Sequence, residues 1–121
     1  MNVLVTGSSG FVGTHLVEYL SSSDYKVWSI DIKYPKHVGN NNKFEKIDFN
    51  NEKKLEKFIK TVEPDIVLHI AGLYGTNDYR ELYKTNLFNT IILFNILKKI
   101  KSNSRILVAS SSSIYGNTRP N

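Results

Sequence analysis

The chain has 121 residues, room for one domain with a buried core, and its 40% hydrophobic and 12% aromatic content excludes a disordered polymer. It holds no cysteine, which excludes disulfides, thiolate zinc sites and a thiol nucleophile, and no metal site is expected. The net charge of +5 does not mark a nucleic-acid binder: of 16 basic residues only Arg80, Arg105 and Arg119 are arginine, and Lys53, Lys54, Lys57 and Lys60 are interleaved with Glu52 and Glu56, where a base-reading face would carry arginine forks and exclude acids.

Those lysines read as a solvated helix face, with attraction of anionic nucleotides as a secondary benefit. Met1-Asn2 leads straight into Val3-Leu4-Val5 without a basic stretch and a long apolar run, so no signal peptide is expected. No window approaches the apolar length of a membrane span, and the expectation is a soluble cytoplasmic protein with no membrane partner. Val3 to Thr6 reads as a strand ending at a glycine-rich turn. Phe11 to Ser22 reads as a helix with Val12, Leu16, Val17 and Leu20 on one face. Lys26 to Asp31 is a second strand, Tyr34 to Asn42 a loop rich in Pro, Gly and Asn, and Phe44 to Asp48 a short third strand. Leu55, Phe58, Ile59 and Val62 follow the i, i+3, i+4, i+7 spacing of an amphipathic helix that stops before Pro64. Ile66 to Ala71 has hardly a polar break, as in a strand covered on both faces. A long helix is predicted from Arg80 to Lys101, and a fifth strand from Arg105 to Ala109. Alternating strands and helices imply an α/β fold: a doubly wound parallel sheet of Rossmann type, order 3-2-1-4-5, with right-handed crossovers.

The long helix is apolar over most of its circumference, through Leu82, Leu87, Phe88, Ile91, Ile92, Leu93, Phe94, Ile96, Leu97 and Ile100. Such a helix is buried on more than one side. One side faces the sheet, so a further helix or a partner subunit is expected over the other.

Thr6-Gly7-Ser8-Ser9-Gly10-Phe11-Val12-Gly13 joins the first strand to the first helix. Glycines there permit a tight turn, close approach of a pyrophosphate and tight helix packing, while Phe11 and Val12 open a helix whose free N–H groups favour phosphate charge. A glycine-rich turn without a ligand would explain the glycines alone. Strand, helix and the acid Asp31 at the end of the second strand together favour a dinucleotide. A carboxylate there accepts hydrogen bonds from ribose hydroxyls and repels a 2′-phosphate, so NAD is expected over NADP, with Lys33 nearby softening the repulsion.

The spacing G-x-x-G-x-x-G after a threonine resembles the extended short-chain dehydrogenase/reductase family of NAD-dependent sugar-nucleotide epimerases and dehydratases. The resemblance runs along essentially all of the chain. Asp48-Phe49 resembles the pair that holds the adenine ring. Glu63-Pro64-Asp65-Ile66-Val67-Leu68-His69-Ile70-Ala71-Gly72 resembles the segment whose strand end runs beside the pyrophosphate and ribose, which implies cofactor-side positions for His69, Ala71 and Gly72. Tyr83-Lys84-Thr85-Asn86-Leu87-Phe88-Asn89-Thr90 resembles the segment with a structural asparagine and implies that Asn86 stands near the active site. Asn89 replaces a common glycine. Ser110-Ser111-Ser112-Ser113-Ile114-Tyr115-Gly116 resembles the serine-rich strand end, which makes Ser111 the candidate catalytic residue that hydrogen-bonds the sugar's reacting oxygen, with Ser112 second. His15 and His37 suggest nothing beyond solvent exposure.

Members of that family use a tyrosine and a lysine four residues apart, the lysine lowering the tyrosine pKa for proton exchange. No Tyr-x-x-x-Lys occurs among the 121 residues, and Tyr115 with Arg119 is the nearest spacing. Arginine cannot be tuned as a base. The expectation is therefore the incomplete NAD-binding domain, residues 1–121, of a nucleotide-sugar enzyme that forms homodimers, inactive by itself. The alternative is a non-catalytic NAD-binding module that docks a partner through the apolar face of its long helix.

Overall fold

Val3, Leu4 and Val5 are at most 1% exposed in β1 (Asn2–Thr6), the central strand of a five-stranded sheet. β1 pairs in parallel with β2 (Lys26–Asp31) on one side and with β4 (Ile66–His69) on the other. β3 (Asn42–Lys46) lies outside β2 and β5 (Arg105–Val108) outside β4, all parallel, giving the expected order 3-2-1-4-5. The computed structural model describes residues 1–36, 39 and 41–116; His37 and Arg119 lie outside them.

Side chains alternate across the sheet, so each face has its own core. Val3, Val5 and Val27 pack on Val17 and Leu20 of α1 (Phe11–Ser21). Leu4, Ile30 and Val67 pack on Leu55 and Ile59 of α2 (Glu52–Val62) and on Leu93, Ile96 and Leu97 of the long helix. Asn51 caps α2 by accepting from the Lys54 N–H at 3.1 Å, and the helix ends at Glu63, φ +45°, before Pro64. The predicted lysine face is exposed, with Lys60 and Lys99 both bonded to Glu56, which ties α2 to the end of the long helix.

Several boundaries differ from those expected. β3 is shifted two residues earlier, to Asn42–Lys46 rather than Phe44 to Asp48, because the buried Asn42 amide accepts a 2.8 Å bond from the Ser29 hydroxyl of β2 and so sits in the sheet at little cost. β4 stops at His69, where the Thr6 hydroxyl takes over as the partner of the Ala71 N–H. The long helix is composite: Asp78 caps α3 (Tyr79–Leu82), a π-helical turn follows (Tyr83–Phe88), and α4 (Asn89–Lys99) completes it. Its predicted second apolar side is present, since Leu87, Phe88, Ile91 and Phe94 are exposed. β5 is likewise exposed along its length. Among the described residues no helix is long and apolar enough to cross a membrane.

Candidate functional site

The glycine turn stands at the carboxyl end of β1, hooked onto β2 by the Gly7 and Ser8 N–H groups, which donate to the Ile30 carbonyl at 3.0 and 3.3 Å. Gly7 has φ +74°, and a Cβ there would lie 2.6 Å from Ala71 Cα and 2.7 Å from its nitrogen. At Gly13 a Cβ would collide with the Gly7 carbonyl oxygen and lie 2.7 Å from Ser8 Cα. Backbone therefore meets backbone on both sides of the turn, as close approach to a ligand requires. Asn51 and Asp78 cap their helices, but Gly10 gives α1 no side-chain cap and its first turn holds no acid. The N-terminal N–H groups of α1, those of Phe11, Val12 and Gly13, are thus left for an external anion. The Phe11 and Val12 side chains are 81% and 61% exposed, so both serve the turn through their main chain.

Asp31 stands at the rim of this turn. Its Oδ2 accepts from the Ser9 N–H at 3.0 Å and its Oδ1 from the Lys33 N–H at 2.9 Å, while the Ser9 hydroxyl donates to the Lys33 carbonyl at 2.7 Å. A carboxylate has about four acceptor sites, so Asp31 is oriented and still able to accept. Asp48 is exposed beyond β3, its Oδ1 accepting from the Asn50 N–H and side-chain amide at 2.8 and 2.7 Å. Phe49 is only 5% exposed and its ring packs against His69 at 5.8 Å, so a nucleotide could meet its main chain alone.

His69 is 2% exposed and has no ring nitrogen left for a ligand. Nδ1 lies 2.7 Å from the Thr6 hydroxyl and Nε2 lies 2.9 Å from the Thr90 hydroxyl. Thr90 gives its one proton to the Asn86 carbonyl at 2.9 Å, so it accepts from Nε2–H; the neutral ring then accepts at Nδ1 from Thr6. Asn86 closes the network, donating to the Leu73 carbonyl at 2.8 Å and accepting from its N–H at 2.7 Å, beside Gly72. Both His69 ring nitrogens are thus taken by protein hydroxyls, and the ring lies buried between the end of β1 and the long helix.

Burial holds the His69 imidazole below its ordinary pKa of 6.5. The unfolded chain binds the extra proton, so this stability is present above about pH 6.5 and is lost as pH falls, by up to about 1.4 kcal/mol per unit until the folded ring itself titrates. Urea midpoints from about pH 7 to pH 5 are expected to fall more steeply for the wild type than for His69→Gln; equal slopes would contradict this.

The Ala109 N–H donates to the His69 carbonyl at 2.9 Å, which sets the end of β5 beside the end of β4. Ser111 and Ser112 follow, both exposed, at the same sheet edge as Gly7, Asp31 and Ala71. The side chains of Ser113 and Ile114 lie outside the description. A groove of about 800 Å³ lined by Met1, Pro64, Asp65 and Arg105 opens at the amino ends of the strands, the opposite edge. Sequence reasoning assigned no role to Ser9, Thr6 or Thr90. The signals for the last two were a polar residue ending an apolar strand and a threonine one turn after Asn86.

Known proteins resemble this chain in sequence and in fold. UDP-glucose 4-epimerase of Pisum sativum is 30% identical over 132 residues, covering 94% of this chain and 37% of that protein. The structure of UDP-glucose 4-epimerase from Bifidobacterium longum in complex with NAD+ and UDP matches with TM-score 0.85 and 29% identity, over 96% of this chain and 38% of that one. That of dTDP-glucose 4,6-dehydratase from Bacillus anthracis in complex with NAD matches with TM-score 0.82 and 26% identity, over 100% and 41%. The chain thus spans about two-fifths of the length of these relatives. Residues 3–121 match the profile of one family along nearly their whole length, and the chain belongs to the NAD dependent epimerase/dehydratase family.

Proposed function

We propose that the chain binds NAD+ across the carboxyl ends of β1, β2 and β4, as the cofactor-holding part of a nucleotide-sugar epimerase or dehydratase. The observation that carries this reading is the uncapped start of α1 behind a turn in which Gly7 and Gly13 admit no Cβ, with an oriented Asp31 at its rim. The N–H groups of Phe11, Val12 and Gly13 hold the pyrophosphate, with Gly10 keeping the turn open. Asp31 accepts from the adenosine ribose. The Asp48 carboxylate and the Phe49 main chain meet the adenine. Ala71 and Gly72 wall the pyrophosphate and ribose, and Asn86 fixes the loop they begin.

NAD+ bound here supplies a reversible hydride acceptor for a sugar carbon. Ser111 hydrogen-bonds the oxygen on that carbon and orients it. A proton-transferring Tyr-x-x-x-Lys pair is not among these 121 residues, so the chain by itself binds without turnover. The exposed Leu87, Phe88, Ile91 and Phe94 favour pairing of two subunits through the long helix; a non-catalytic module docking another protein on that face is the second reading they support.

Titration with NAD+ followed by amide NMR tests the binding. Shifts are expected from Gly7 to Gly13 and at Asp31, with none around the groove of Asp65 and Arg105. Saturating shifts confined to that groove, or none at all, would refute it.

A further inference from the structure

We propose that His69, Thr6 and Thr90 form a positioning relay that fixes the spacing between the two walls of the NAD+ site proposed above. One wall is the glycine turn, which begins at the residue after Thr6. The other is the loop after β4, held at Leu73 by Asn86. The hydrogen bonds run in one direction through them: from Ala71 N–H to the Thr6 oxygen, from the Thr6 hydroxyl to His69 Nδ1, from Nε2–H to the Thr90 oxygen, and from the Thr90 hydroxyl to the Asn86 carbonyl. Each hydroxyl is donor once and acceptor once, so neither threonine can be replaced by an apolar residue without stranding a buried partner.

The spacing matters because Gly7 and Ala71 already meet main chain to main chain, where a Cβ would lie 2.6 Å from Ala71 Cα. Any drift between the walls changes that contact directly. His69 also packs on the Phe49 ring, so one side chain touches the ends of β1 and β4, the residue after Asp48 and the long helix. All three side chains spend their polar atoms on protein partners; they are positioning residues. Their effect on NAD+ rests on the binding mode proposed above, while the relay itself can be tested without the cofactor.

Thr90→Val keeps the shape and removes the hydroxyl, and Thr90→Ser keeps the hydroxyl and removes a methyl. Ring 15N NMR of the 121-residue chain near neutral pH is expected to show His69 as the Nε2–H tautomer. Thr90→Val should speed amide exchange at Leu73 and weaken NAD+ by about tenfold, and Thr90→Ser should restore both to within about twofold. An Nδ1–H tautomer, or a serine variant as impaired as the valine one, overturns the relay. A wild-type chain that fails to bind NAD+ while keeping the tautomer and the Leu73 difference refutes the cofactor reading and supports the relay.

Discussion

Gly7→Ala is expected to cost the chain its NAD+ binding and much of its stability. Gly7 has φ +74°, where an L-residue is disfavoured by about 1–2 kcal/mol. The new methyl would also stand 2.6 Å from Ala71 Cα and 2.7 Å from its nitrogen, and these are main-chain atoms in a segment anchored to Thr6. No side chain can swing away, so the turn itself must move; overpacking of this kind costs about 1–3 kcal/mol. The sum, roughly 2–5 kcal/mol, is a large part of a domain's 5–15 kcal/mol total. Gly10→Ala is the control within the same motif. Gly10 has φ −75°, and its Cβ would meet only the Gly7 carbonyl, at 3.3 Å. Urea melts should place Gly10→Ala near the wild type and Gly7→Ala far below it. Equal midpoints for the two variants would show that the close approach at Ala71 is not what requires Gly7.

The contrast between these glycines shows what a sequence can and cannot reveal. The motif was legible because its elements are local: strand, glycines, helix and the acid at the end of the next strand lie within residues 3–31. Sheet order was legible for a related reason, since short apolar runs alternating with helical periods leave few ways to wind a parallel sheet. Asn42 was misplaced into a loop because asparagine is a turn residue until a buried hydroxyl answers it, and Ser29 stands 13 residues away in the chain. The π-helical turn at Tyr83–Phe88 has no compositional mark at all. His69 is the sharpest case. Its strand is legible from its apolar run, though not its end at His69; its partners Thr6 and Thr90 come from 63 residues before and 21 after, and only the folded sheet shows that both nitrogens are taken. Phe49 was read with Asp48 as one adenine-facing pair, and the fold splits them, the acid outward and the ring into the core.

Asp31→Ala is expected to weaken NAD+ by about ten- to a hundredfold and to erase most of the preference for NAD+ over NADP+. The carboxylate is oriented by the Ser9 and Lys33 N–H groups at 3.0 and 2.9 Å, so it meets the ribose hydroxyls without further ordering. Hydrogen bonds to such a charged group are worth about 1.5–3 kcal/mol, which sets the range for NAD+. A 2′-phosphate beside the same carboxylate adds like-charge repulsion of up to about 4 kcal/mol at 4 Å in a partly solvated site. The wild type should therefore favour NAD+ by about a hundredfold or more. Alanine removes the repulsion while Lys33 remains at the rim, so NADP+ affinity should rise as NAD+ affinity falls. Asp31→Asn removes the charge at nearly the same volume, but its NH2 would face one of the two N–H donors that Asp31 now accepts from, so it should recover little NAD+ affinity and none of the discrimination. Titrating the three proteins with both dinucleotides decides the point. If the NAD+ to NADP+ ratio is the same in all three, selectivity arises elsewhere, and the second strand's acid is a brace for the Ser9 turn rather than a reader of the ribose.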